Sequence, residues 1–139
     1  MSNSFSADIS KFAKKFNADV KTVIRKISFE AFSRIVLRTP VDTGRARANW
    51  GVQPGTPITF AIEAEDKSGS ATLAATANGT LSWECQGSLF FTNNVPYIGV
   101  LEYGKEDGTP GSTQAPNGMV RVTMEEMLAW IKTNGKKGI

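Results

Sequence analysis

The chain has 139 residues, 40% hydrophobic and 21% charged, with a net charge of +3. That is one domain of ordinary size, large enough to fold without disulfide or metal staples and too apolar to be disordered throughout. It contains no histidine and one cysteine, which excludes Ser-His-Asp and Cys-His catalysis, histidine metal sites and an internal disulfide.

Residues 1–16 read as a polar lead with one short helix. Ile9, Phe12, Ala13 and Phe16 share a face, and Lys11, Lys14 and Lys15 lie opposite. Asn17 offers an N-cap, and a long helix is predicted to about Arg38. Its main stripe is Val20, Val23, Ile24, Ile27, Ala31 and Ile35, with Phe29, Phe32 and Val36 as a second. Two stripes imply a helix wrapped by its own domain or shared with a neighbouring subunit. Pro40 ends it, and Val41-Asp42-Thr43-Gly44 reads as a turn, with Asp42 bonding downstream backbone and Gly44 at positive φ. Arg45 to Trp50 suits a helical turn or a strand start, and 51–57 reads as a Pro/Gly loop. Ile58, Phe60 and Ile62 alternate with Thr59 and Ala61, which predicts a strand over 58–63.

Residues 71–77 suit a helix that Asn78-Gly79 would end, and Thr80 to Glu84 suits a short link or strand. Leu89, Phe90 and Phe91 predict a buried strand over 88–92. Asn93-Asn94 reads as a turn, Pro96 as the first position of a helix over Tyr97–Tyr103, and Gly104 as its stop. Residues 105–117 form a long polar loop, a helix follows from Gly118 to about Thr133, and 134–139 read as a frayed basic tail. The order implies a single α+β domain: a small antiparallel β-sheet packed by a long N-terminal helix and a C-terminal helix.

No apolar run reaches the roughly 18 residues of a membrane span, and the polar N-terminus does not resemble a secretory signal, so synthesis in the cytoplasm is expected. Charge is uneven. Residues 1–50 carry ten Lys and Arg against four Asp and Glu, for +6. Residues 51–104 carry one against five, for −4, and residues 105–139 carry five against four, for +1. Basic and acidic thirds suit a surface on which one subunit's basic face meets its neighbour's acidic one. The competing reading of the basic third is a nucleic-acid contact through Lys11, Lys14, Lys15, Lys21, Arg25 and Lys26, although no aromatic interleaves them on the polar face.

Chemistry-bearing motifs are few. Asp42-Thr43-Gly44 is the triplet of an aspartic-protease loop, in which two copies of a chain bring two carboxylates together. Here it follows a helix and a proline rather than a strand, and Arg45 would disturb proton sharing, so a turn is the better reading. Glu63, Glu65 and Asp66 do not match a calcium loop and read as a solvated strand end. Cys85 reads as a small buried hydrophobe, and Trp50 as core. No catalytic residue, metal ligand or cofactor site is expected.

Two stretches go further. One is Thr39-Pro40-Val41-Asp42-Thr43-Gly44-Arg45-Ala46-Arg47-Ala48-Asn49-Trp50. The other is Phe90-Phe91-Thr92-Asn93-Asn94-Val95-Pro96-Tyr97, then Leu101-Glu102-Tyr103-Gly104, then Gln114-Ala115-Pro116-Asn117-Gly118-Met119-Val120-Arg121. Together they resemble the tail-completion or neck family of tailed bacteriophages, which includes minor tail and head–tail joining proteins. The resemblance spans about residues 18–132 and departs at 71–83, where Asn78 and Gly79 interrupt a family helix. It implies a structural virion protein with no catalytic residues. Copies would form a ring around the DNA channel at the head-proximal end of the tail, with six subunits by analogy to tail symmetry or twelve by analogy to the portal. The implied partners are the tail tube or terminator and the head connector or stopper, with packaged DNA nearby and no membrane.

Interface candidates are Arg45, Arg47, Tyr97, Glu102, Tyr103, Lys105 and Gln114, with Arg45 and Arg47 expected to pair with Glu102 within or between subunits. Loop 105–117 is expected to order on docking, and Pro40, Asp42, Gly44, Asn93, Asn94, Pro96 and Gly104 are expected to shape turns.

Overall fold

The computed structural model describes Lys11, Lys14 and residues 19–137. The expected apolar face at Ile9, Phe12, Ala13 and Phe16, the Asn17 cap and the last two residues lie outside the described residues. Seven elements follow: α1 (Val20–Arg38), α2 (Arg45–Ala48), β1 (Gly51–Pro54), α3 (Ser70–Leu81), β2 (Leu89–Thr92), α4 (Ile98–Tyr103) and α5 (Val120–Lys137). They form the expected α+β fold, with a long N-terminal helix, a C-terminal helix and a two-stranded antiparallel sheet. Among the described residues no helix is long and apolar enough to cross a membrane.

α1 starts after Asp19, and Thr39 at φ −68° and ψ 127° ends it in front of Pro40. Its buried stripe is Val23, Ile27, Ala31, Ile35 and Val36. The N-terminal half packs on Met127 and Ile131 of α5. The C-terminal half meets Trp50, Ala115 and Met119 in a second cluster. Arg38 reaches Thr123 and Glu126, and Arg34 reaches Glu126, so α1 and α5 run antiparallel. α3 lies along α1 and buries Thr72, Thr76 and Thr80. Both expected stripes of α1 are thus covered largely by this chain's own elements.

The sheet pairs Gly51 with Thr92 and Pro54 with Leu89. Phe91 stacks on Phe32 at 4.2 Å and on Trp50 at 4.8 Å between ring centroids, tying the sheet to α1. Trp50 is buried, as its sequence suggests, and donates its Nε1–H to Thr39 Oγ1 at 2.8 Å.

Several expectations are corrected. The 51–57 stretch contains strand β1. The Gly55 N–H donates to the Ser88 carbonyl at 2.9 Å, so ladder bonds fall at Gln53 and Gly51, and Pro54, which has no N–H, sits where an N–H would point away from β2. Conversely, 58–63 is not a strand despite its alternation. It is an extended strap whose backbone meets side chains instead of a ladder. Asn94 and Thr92 donate to the Ile58 carbonyl, and Asn49 holds both the N–H and the carbonyl of Ile62. α3 runs through Asn78-Gly79 to Leu81, because Gly79 is where the helix meets β1: a Cβ there would lie 3.0 Å from Val52 Cγ1. α4 starts one residue late, with Tyr97 as its N-cap and Pro96 just outside. α5 continues to Lys137, so the basic tail is helical there. Cys85 is half-buried rather than core, at φ +58°.

Candidate functional site

The two motif stretches meet in space. Gly44 takes φ +91°, and a Cβ there would lie 2.6 Å from the Lys67 amide nitrogen. This close approach requires glycine. The Gly44 carbonyl accepts from the amides of Ala48 and Asp66, both at 3.0 Å, so one turn anchors α2 and the far end of the strap. Asp42 is exposed, and the downstream amide of Arg45 donates to Thr43 Oγ1 rather than to Asp42. Val41 is bracketed by Gln114: its N–H donates to Gln114 Oε1 at 2.8 Å, and Gln114 Nε2 donates to its carbonyl at 3.0 Å. Asn93 Nδ2 donates to the Ala46 carbonyl at 2.7 Å, while its Oδ1 accepts from Val95 N–H. Asn93 therefore holds its own downstream backbone and crosslinks it to α2, whereas Asn94 ties only to the Ile58 carbonyl; the turn itself falls at 96–97.

Arg45 and Arg47 do not reach Glu102. Arg47 is a backbone bracket, donating to the carbonyls of Leu37, Thr39 and Lys67 at 2.7–3.0 Å. The last turn of a helix leaves its carbonyls unpaired, so through Leu37 and Thr39 the guanidinium serves as a C-terminal cap for α1. Arg45 lies 3.4 Å from Glu63.

Glu102 instead clamps the start of α5. Oε1 accepts from the amides of Met119 and Val120 at 2.8 Å, and Oε2 accepts from the amide and Nε of Arg121 at 3.1 and 3.0 Å. Burial alone would raise this carboxyl. The amides of Val120, Met119 and Arg121 with the Arg121 guanidinium outweigh it and hold it below the usual carboxylate range. Gly118, at φ +85°, permits the approach, since a Cβ there would lie 2.4 Å from the Glu102 carbonyl. Arg121 also covers the Tyr103 ring at 4.7 Å. Sequence reasoning missed this partner. The sign available in the sequence was a helix start at Gly118-Met119-Val120 with no acidic residue in its first turn to meet its amides.

Gly104 ends α4 at φ +88°, and the loop after it folds back. Lys105 N–H donates to the Thr109 carbonyl at 2.8 Å, and a Cβ on Gly111 would lie 2.2 Å from the Val100 carbonyl. Asp107 accepts from the Thr109 hydroxyl and amide, which hold its carboxyl low. The loop is thus closed on α4 by its own bonds before any partner docks. Lys105 is exposed at its base.

What faces outward is α4. Tyr97, Val100 and Tyr103, spaced on one face, are 40%, 43% and 72% exposed, so the tyrosines are not core. A cleft of about 390 Å³ lies on one side, lined by the 40–46 turn, Leu101 and Gln114. A groove of about 540 Å³ lies on the other, between β2, α4, the start of α5 and the chain's own Pro57, Ile58 and Thr59.

The charge asymmetry is partly spent within the chain. Arg25 pairs with Glu84 and also donates to the Trp83 carbonyl, Arg45 pairs with Glu63, and Arg34 and Arg38 share Glu126 of α5. Arg38 first and Arg34 second lower the Glu126 carboxyl. Asp66 is a helix cap rather than a solvated carboxylate. The Thr72 amide and hydroxyl and the Gly69 amide donate to it and lower it. Lys11, Lys14, Lys21 and Lys26 remain exposed. Among the described residues no three His, Cys, Asp or Glu side chains group to hold a metal ion. No family model, curated protein or solved structure matches the chain.

Proposed function

We propose that this chain is a structural virion protein of the phage neck, a tail-completion subunit that joins the tail to the head connector as a ring around the DNA channel. It acts by docking and carries out no catalysis. The observation that supports this most is the interlock of the two motif stretches. Val41 with Gln114 and Ala46 with Asn93 join the two stretches, and Glu102 with residues 119–121 closes the second on itself. The outward surface left over is the apolar row Tyr97, Val100 and Tyr103, flanked by two concave surfaces. Amphipathic aromatics beside pockets are anchors of interfaces. Among the described residues, hydrogen bonds hold the carboxyls of Asp66, Glu102, Asp107 and Glu126 below the usual carboxylate range. A general acid or base working near neutral pH needs the opposite shift.

Mass spectrometry of gradient-purified virions, with immunogold labelling, tests the reading. The chain is expected in virions with gold at the head–tail junction. Abundance in the lysate and absence from virions would overturn it.

A further inference from the structure

We propose that the extended strap of one copy, residues 59–63, adds as a third strand to the outer edge of β2 in a second copy, filling the groove between β2 and α4. The proposal rests on the self-assembly part of the neck reading and names the contact that makes it.

The strap is a strand without a sheet. Its apolar side chains alternate, yet Phe60 is 66% and Ile62 45% exposed. Among the described residues no backbone group from Thr59 to Ala61 is hydrogen-bonded, and Ile62 bonds only to the Asn49 side chain. Extended backbone in this state is matched by another strand's edge.

The same fold offers such an edge. The ladder bonds fall at Phe90 and Thr92, so the N–H and carbonyl of Leu89 and Phe91 point away from β1. Among the described residues these groups have no hydrogen-bond partner. The sheet has only two strands among the described residues, and a third strand would cover the open edge of β2. The groove of about 540 Å³ runs beside this edge, with Phe91, Ile98 and Val120 among its apolar walls. A strand added parallel to β2 with Phe60 opposite Phe91 would turn Phe60 and Ile62 into the groove and donate the Ala61 N–H to the Phe91 carbonyl.

Charge favours a second copy as the occupant. The strap carries exposed Glu63 and Glu65. Beside the groove, Arg121 keeps 56% of its side chain exposed over Tyr103 while bound to Glu102, and Lys105 stands exposed just beyond α4. Within one chain Glu63 is 92% exposed and only loosely paired with Arg45, so it is free to exchange. Strap and groove are unlike surfaces, so the contact is head-to-tail and closes into a ring if the rotation permits.

Two full-length variants separate the halves. Ala61→Pro removes the strand's donor where the free chain makes no backbone bond. Gly99→Phe fills the groove from a position where a Cβ meets nothing within 4 Å. Sedimentation velocity across a concentration series is the readout, with far-UV circular dichroism and melting as controls of folding. The wild type is expected to self-associate. Each variant alone is expected to do so at least tenfold more weakly with an unchanged melt. Mixed together they are expected to form one-to-one dimers, because each supplies the half the other lacks. A labelled peptide of residues 57–66 is expected to bind Ala61→Pro and not Gly99→Phe.

Self-association of Ala61→Pro at wild-type strength, no complementation on mixing, or equal peptide binding by both variants would overturn the proposal. Tighter displacement of the labelled peptide by a peptide of residues 1–18 would overturn it too, by making the chain's own lead the occupant. A chain that complements this way but is absent from virions loses the neck assignment and keeps the strand exchange. A virion chain whose Ala61→Pro variant still assembles loses the strand exchange alone.

Discussion

Replacing Glu102 with alanine removes the clamp between α4 and α5. The carboxylate is 8% exposed and accepts four N–H donors, three from the first amides of α5 and its entry and one from Arg121. Hydrogen bonds to a charged group contribute about 1.5–3 kcal/mol each, but they share one carboxylate and water replaces part of the loss. A net cost of about 3 kcal/mol follows, comparable to breaking a buried charge pair. For a chain of this size, that lowers Tm by about 10 °C. Glu102→Gln keeps the shape and loses the charge, so it is expected to fall between wild type and alanine. The sign with pH follows from the lowered carboxyl. The unfolded chain binds the proton first, near pH ~4.3. The clamp's stability is therefore complete above that pH and is lost as pH falls through the lower folded-state value. Thermal melts of wild type and Glu102→Gln between neutral and acid pH are expected to converge as the carboxylate protonates. A Glu102→Ala melt within about 2 °C of wild type at neutral pH, or a gap that widens on acidification, would refute the reasoning.

Other substitutions test other joints. Gly44→Ala forces a Cβ against the backbone of residues 66 and 67 at positive φ, and it is expected to cost 3 kcal/mol or more, on the order set by strain plus overpacking, in urea unfolding. Thr39→Val strands the buried Trp50 indole N–H, which is expected to cost about 1–3 kcal/mol and to change the near-UV circular dichroism. Gly79→Leu drives a side chain into Val52 and is expected to destabilise by about 1–3 kcal/mol despite leucine's better helix propensity, as a chemical denaturation curve would report.

The helices were legible because their apolar periodicity and their stops agree. Pro40 and Gly104 sit where α1 and α4 end, and Leu89–Phe91 lies in a strand. Local rules failed where a residue answers to a distant partner. Gly79 looks like a helix stop, yet it is the gap that admits Val52. Pro54 and Gly55 look like loop residues, yet proline is tolerated on the outer edge of β1 and Gly55 extends the ladder. The 58–63 alternation describes a surface with two unlike faces, and among the described residues no strand pairs with it; side chains of Asn49, Thr92 and Asn94 meet its backbone instead. At the candidate site the turn residues were legible from their own chemistry. Their partners were not, because the Glu102 clamp joins residues 17–19 apart and the Gln114 bracket spans 73. Arg47 illustrates the limit: a guanidinium within the chain is as well satisfied by three carbonyls as by a carboxylate.

The most direct test of the neck assignment is electron microscopy of a lysate from the phage deleted for this chain. The account predicts filled heads separated from tails, or tails of abnormal length, with joined particles restored by supplying the chain in trans. Normal, fully joined and infectious particles without it would contradict the account.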